Sequence, residues 1–180
     1  IMSVHKTLPA FTQTALLHLC SDRITEKKVA QFLGIYETSS PSYILMAGIE
    51  KSLQIIEKDR EMLFAAYSRR LAEFRDKTKN LKTLQVLQPS DFSKQEAFSF
   101  DPGKLLILTG NSMSGQALQE ILLREYGLQM EMASGNYVVA MTSIMDTDEG
   151  FARLSDALEC IDGTVRKKEE TSEISPREIY

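Results

Sequence analysis

The chain has 180 residues, of which 43% are hydrophobic and 26% charged, and a net charge of −4 at pH 7. This composition is typical of a folded globular protein, and the length allows one large domain or two small ones. The acidic balance offers no basic surface for nucleic acid or an anionic membrane. Because no apolar run has the length of a transmembrane helix or the pattern of a signal peptide, the sequence predicts a soluble cytoplasmic protein.

The first elements predicted are a strand and a helix. The apolar segment 12–20 is short and predicts a buried strand. Thr25 stands where an N-cap belongs, ahead of a short helix whose last turn runs into Gly34.

Histidines and cysteines are few in this chain. Cys20 and Cys160 lie far apart without CxxC spacing, which predicts buried thiols in a reducing compartment. His18 lies in the apolar segment and is expected to be a core histidine. With only His5 as a possible partner, we expect no metal site.

A long helical pattern follows. Ser40 before Pro41 is a typical helix start. Apolar residues then recur at helical spacing, and the segment has no internal proline. We therefore predict one very long helix, with two helices joined near Lys58 as the alternative; the first apolar positions are Leu45, Ile49, Leu53 and Ile56.

The pattern changes after Asn80. Apolar runs at 81–89 and 104–110 predict strands, and Gly127 ends a helix capped by Ser112 or Ser114. A hairpin and a last helix, which starts at Asp146-Thr147, complete the order strand, helix, strand, strand, helix from Lys104. The fold class is thus α/β, with a long connecting helix and a small α+β domain of βαββα type. Four methionines near the hairpin are predicted core residues: Met130, Met132, Met141 and Met145.

The residues that suggest chemistry lie at the start, in the string SVHK. A lysine that acts as a nucleophile must be partly deprotonated. The ring of His5 can donate a hydrogen bond or stack on a flat ring, and the hydroxyl of Ser3 can donate to a phosphate. Together with Lys6 these groups suit pyridoxal 5′-phosphate (PLP). A solvated loop lysine is the alternative.

The string SVHKTLPAFTQTALLH resembles the cofactor-lysine segment of the bacterial ornithine/lysine/arginine decarboxylases, which have the aspartate-aminotransferase-like fold. ETSSPSYILMAGIEKS and the stretches from DPGKLLIL to FARLSDAL resemble the same family in the same order. The resemblance covers roughly residues 3–162.

The resemblance implies a role for each site residue. Lys6 would form the internal aldimine with PLP and take part in proton transfer, with His5 also at the cofactor and Ser3 on its phosphate. Thr38 and Ser39 would reach the phosphate of a neighbouring subunit in a homo-oligomer; a helix N-cap is the alternative for this turn. The substrate would be ornithine, lysine or arginine, which loses CO2 with the ring as electron sink.

In the resembling enzymes, a long stretch before the lysine supplies the phosphate cup and the aspartate of the pyridinium nitrogen. We therefore expect an internal or truncated piece that is inactive alone. Residues 1–80 would end the cofactor-binding domain and include the connecting helix, 81–163 would form the small domain, and 164–180 a mobile tail or linker. The alternatives are a non-catalytic interaction or dimerisation fragment, and another PLP reaction of the aldolase or aminotransferase type.

Overall fold

The computed structural model of the chain describes residues 1–37, 40–93 and 99–173, without the side chains of 166–173. The chain divides into two compact units, Ile1–Leu63 and Phe64–Tyr180, here called the N-terminal and the C-terminal unit. The division falls inside a helix. The domain boundaries expected from the sequence, near residues 80 and 163, stay predictions.

The N-terminal unit consists of short strands and helices. Strand β1 (Met2–Ser3) pairs antiparallel with β2 (Ala15–Leu16), and the single-turn helix α1 (Val4–Thr7) follows β1 directly. Helix α2 (Glu26–Tyr36) and the first part of helix α3 (Tyr43–Thr78) complete the unit.

The expectation of a buried strand over 12–20 is wrong. Only Ala15 and Leu16 form a strand, and the segment after them is exposed, including His18 and Cys20. The reason is that β2 pairs only with the two-residue β1, so its flanking residues have no neighbouring strand. The predictions that His18 is a core histidine and that Cys20 is a buried thiol are therefore wrong. Cys160, also predicted to be buried, is exposed as well.

The predicted short helix after Thr25 and the predicted very long helix are both present, with shifted ends. The hydroxyl of Thr25 accepts from Lys28 N and caps α2, which continues past Gly34 to Tyr36. Helix α3 is continuous over 36 residues, which confirms the preferred single helix. It begins later than the Ser40-Pro41 signal predicts, because the hydroxyl of Ser42 accepts the N–H of Leu45.

The C-terminal unit contains a four-stranded antiparallel sheet in the order β3-β4-β6-β5. Its strands are β3 (Gln85–Val86), β4 (Lys104–Leu108), β5 (Met132–Ser134) and β6 (Tyr137–Met141). Helix α4 (Gly115–Tyr126) lies between β4 and β5 in the chain. Helix α5 (Asp148–Glu173) follows β6 and continues into the segment for which the sequence predicts a tail.

One hydrophobic core fills this unit. Alternate residues of β4 and β6 and one face of each helix are buried, among them Leu105, Ile107, Leu118, Val138 and Leu158. Each such side chain contributes about 1.5 to 3 kcal/mol by leaving water. Of the four methionines predicted in the core, Met130 is buried, whereas Met132 and Met145 are about half exposed.

The ends of α4 follow the sequence signals. The hydroxyl of Ser114 accepts from Ala117 N at 3.1 Å, so Ser114 is the N-cap. Gly127 adopts φ +64° and donates its N–H to the carbonyls of the last turn. This left-handed conformation is one that glycine adopts without strain, which is why the helix stops there.

Tyr67 on α3 fixes the turn before β4. Its hydroxyl donates to Thr142 Oγ1 at 2.7 Å, and Thr142 Oγ1 in turn donates to the carbonyl of Gly103 at 2.7 Å. Burial raises the pKa of Tyr67, so the hydroxyl that donates this bond is harder to ionise than that of an exposed tyrosine. A Cβ on Gly103 would collide with the Tyr67 hydroxyl, so a larger residue there would have to displace this hydrogen-bonded side chain.

Asp162 on α5 holds the chain where it enters the sheet. Its carboxylate is only 7% exposed. It accepts the backbone N–H groups of Lys82 at 3.0 Å and of Thr83 and Leu84 at 2.7 Å each. A buried carboxylate is stable only when such donors replace its water. This contact fixes α5 against the segment that leads into β3.

We expect Asp162→Asn to destabilise the C-terminal unit by about 2 to 4 kcal/mol, because the amide places donors against backbone donors. Hydrogen exchange of the β4 and β6 amides in the full chain measures the effect. Asp156→Asn is the control, since Asp156 is an exposed residue of the same helix and pairs only with the exposed Lys77. It should cost less than about 1 kcal/mol. Equal effects of the two substitutions would contradict the role of Asp162.

Candidate functional site

The junction of β1 and α1 presents three groups that can carry chemistry. Ser3 precedes the helical turn, and its hydroxyl makes no capping hydrogen bond. His5 is half-buried and Lys6 is exposed on the following residues. A hydroxyl, an imidazole and a primary amine therefore lie within four consecutive residues. We call Ser3 to Lys6 the lysine turn.

One backbone oxygen holds the lysine turn in place. The carbonyl oxygen of Thr14 accepts two hydrogen bonds, one from Val4 N at 3.1 Å and one from His5 Nδ1 at 2.8 Å. Thr14 is itself 2% exposed, and its hydroxyl donates to the carbonyl of Phe11 at 2.7 Å. The residue before it, Gln13, has φ +73°, a left-handed conformation that bends the chain here.

Helix α3 offers small residues to the loop that follows the lysine turn. Gly48 is buried, and a Cβ built on it would lie 2.6 Å from Cδ2 of Phe11. One helical turn further, Ser52 is fully buried, and its hydroxyl has no hydrogen-bond partner among the described residues. The close approach of the Phe11 ring to α3 thus depends on the missing side chain at Gly48.

The structure brings Ser3, His5 and Lys6 together on one turn. Thr38 and Ser39, the other two predicted cofactor contacts, lie outside the described residues. Sequence reasoning did not find Thr14 or Gly48. A glycine inside a strongly helical pattern was the one available signal for Gly48, whereas nothing local marks Thr14.

Metal ligands do not cluster in the part of the chain that the structure describes: it contains no group of three His, Cys, Asp or Glu side chains that could bind an ion. In the same residues, no helix is long and apolar enough to cross a bilayer.

The N-terminal unit has little hydrophobic core of its own. Among its described residues, Val4 is the only buried hydrophobic side chain. Conversely, the exposed large apolar side chains of the described chain lie in this unit, except for Phe64, Leu123, Met132 and Met145. A groove of about 480 Å³ beside α2 is lined by Leu17, Ile24, Val29, Phe32, Leu33 and Tyr36, together with Arg23, Thr25 and Lys28. Such a surface is typical of a region that another polypeptide covers.

Comparison with known proteins identifies the family. Residues 1–149 match the family described as "Orn/Lys/Arg decarboxylase, major domain". The chain belongs to the Orn/Lys/Arg decarboxylase family. This confirms the family resemblance, and the matched residues include the lysine turn.

The relatives that the chain matches are much longer than the chain itself. The uncharacterized protein YaaO of Bacillus subtilis is 31% identical over 77% of this chain and 28% of its own length. An arginine decarboxylase of Bacillus subtilis is 21% identical over 87% of this chain and 32% of its length. The chain thus spans about a third or less of the relatives it matches.

Solved structures show a similar fold. The lysine decarboxylase LdcF of Francisella novicida has a TM-score of 0.73, with 20% identity, over 91% of this chain and 28% of that protein. The constitutive lysine decarboxylase of Escherichia coli has a TM-score of 0.69, with 20% identity, over 88% of this chain and 27% of that protein.

We expect Gly48→Ala to loosen the lysine turn, because the added Cβ must displace the Phe11 ring. The Phe11 ring is 56% exposed and can move aside, so we expect a cost of about 1 to 2 kcal/mol, at the low end for overpacking. The amide of Val4, which is bonded to Thr14, should therefore exchange with solvent roughly 5- to 30-fold faster.

Gly34→Ala is the matched control, since Gly34 lies on α2 and no described residue comes within 4 Å of its added Cβ. It should stabilise α2 slightly and leave the exchange of the Val4 amide unchanged. Unchanged Val4 exchange in Gly48→Ala would show that the loop does not depend on this contact.

Proposed function

We propose that the chain is part of a PLP-dependent decarboxylase of a basic amino acid, with Lys6 as the residue that binds the cofactor covalently. The observation that carries the proposal is the lysine turn, which presents Ser3, His5 and Lys6 together in a chain of the Orn/Lys/Arg decarboxylase family. Its relatives include arginine decarboxylases, and the solved structures with a similar fold include lysine decarboxylases. Arginine, lysine and ornithine are therefore the substrates to test.

The donors of the lysine turn fit the cofactor. The amine of Lys6 can condense with an aldehyde. The hydroxyl of Ser3, which makes no capping bond, can donate to a phosphate oxygen. The half-buried ring of His5 can lie against a flat heterocycle. When bound, PLP supplies an electron-withdrawing ring that accepts the electrons of the Cα–CO2 bond.

Lys6 has two tasks in this proposal, which are to bind the cofactor and to transfer a proton. Lys6 Nζ must be deprotonated to react, and desolvation of the amine favours that form. The same nitrogen can carry a proton to the substrate Cα, since it lies on a turn held at fixed geometry by Thr14. Orientation by such hydrogen bonds lowers the entropic part of the barrier.

Activity should require polypeptide beyond these 180 residues. The curated relatives are about three times longer, and the N-terminal unit exposes an apolar surface that includes the groove beside α2. We propose that the remainder of the major domain and a second subunit cover this surface. Covering it would exclude water from the lysine turn and strengthen its electrostatic interactions.

We expect CO2 release from carboxyl-labelled arginine, lysine or ornithine by a polypeptide that joins residues 1–180 to the rest of the major domain. Lys6→Ala should abolish the release, since no other amine replaces Nζ. Lys27→Ala, at an exposed position of α2, should retain it.

The 180-residue chain by itself should release no CO2. Turnover retained in Lys6→Ala would overturn the role of Lys6. Turnover by the isolated chain would overturn the need for additional polypeptide that covers the apolar surface.

A further inference from the structure

We propose that Thr14 is a positioning residue of the site: its carbonyl fixes the His5 ring in the Nδ1–H tautomer, so that Nε2 is the nitrogen that acts on ligands. This inference deepens the proposed function and rests on it for the identity of the ligand. The contact itself belongs to the chain alone.

The tautomer follows from the chemistry of the acceptor. A carbonyl oxygen has lone pairs and no proton, so it can only accept. The distance from His5 Nδ1 to Thr14 O is 2.8 Å, within the range of a good hydrogen bond. Nδ1 must therefore carry the proton. The neutral ring then has an unprotonated Nε2, the reverse of the tautomer that a free histidine prefers.

The same oxygen controls the backbone of the lysine turn. It also accepts the N–H of Val4 at 3.1 Å, two residues before Lys6. The backbone N–H of Val4 and the ring of the next residue, His5, are thus hydrogen-bonded to the same oxygen. A change in the position of this oxygen would move the imidazole and the lysine turn together.

Thr14 is suited to hold that point because its own position is fixed. It is 2% exposed, and its hydroxyl bond to the Phe11 carbonyl at 2.7 Å closes a tight turn. Thr14 N also bonds to Phe11 O at 3.3 Å. A bare Nε2 held in this way can accept a proton or a hydrogen bond from a hydroxyl or amine of the bound cofactor and substrate.

The first test is the tautomer of His5 in the unmodified 180-residue chain. Long-range nitrogen–proton NMR spectra are recorded about two pH units above the ordinary histidine pKa of about 6.5. His18, the other histidine of the chain, is exposed and serves as an internal reference. We expect the Nδ1–H pattern for His5 and the ordinary Nε2–H preference for His18. An Nε2–H pattern for His5 would overturn the inference.

The second test uses two amides that mimic different ring nitrogens. In His5→Asn the side-chain amide lies near the place of Nδ1 and can still donate to Thr14 O; in His5→Gln it reaches the place of Nε2 and cannot. Each variant is incubated with PLP and reduced with borohydride, and the labelled fraction of Lys6 is measured. We expect labelling of His5→Gln to require about 2- to 10-fold more PLP than His5→Asn, the effect of one lost hydrogen bond.

The two tests separate the inference from the proposed function. Equal labelling of both variants would overturn the positioning by Thr14 while leaving Lys6 as the cofactor residue. Absence of labelling in the unmodified chain would count against cofactor binding by these residues alone, and the tautomer spectrum would then decide the positioning by itself.

Discussion

The carbonyl of Thr14 is the contact on which the geometry of the candidate site depends. The N-terminal unit has strands of only two residues, and Val4 is its one buried apolar side chain among the described residues. Hydrophobic burial therefore contributes little to holding its N-terminal turn, and hydrogen bonds must do so. The pair of bonds from Val4 and His5 to one oxygen, at 3.1 and 2.8 Å, and the pairing of β1 with β2 hold the backbone that leads to Lys6.

The C-terminal unit differs from the N-terminal unit because a hydrophobic core stabilises it. It has a continuous core between sheet and helices, and Asp162 joins α5 to the start of the sheet through three backbone donors. A unit with such a core can hold its shape unaided. The N-terminal unit, by contrast, exposes most of its large apolar side chains, a pattern that agrees with the proposal that another polypeptide covers them. The candidate site residues Ser3, His5 and Lys6 lie in this unit.

The sequence predicted what local signals determine. Caps at Thr25, Ser114 and Gly127, and the continuity of α3, follow from short-range chemistry that operates in any fold. The buried strand at 12–20 was predicted wrongly, because an apolar run indicates burial only if something covers it. His18 and Cys20 are exposed for that reason.

The residues of the candidate site also differ in whether local sequence signals could reveal them. The lysine turn could be found, since Ser3, His5 and Lys6 are adjacent in the chain. Thr14 could not, because its role depends on a carbonyl that every residue has and on a turn at Gln13 that no motif marks. Gly48 acts through a contact between distant segments, which a single sequence does not encode locally.

The most direct test of the account is the site of covalent labelling in the 180-residue chain. PLP is added, the chain is reduced with borohydride, and the modified peptides are mapped by mass spectrometry in the chain and in Lys6→Arg. The account predicts a pyridoxyl group on Lys6 and its loss in Lys6→Arg, with the remaining lysines labelled only at background level. A dominant adduct on another lysine, unchanged in Lys6→Arg, would contradict it.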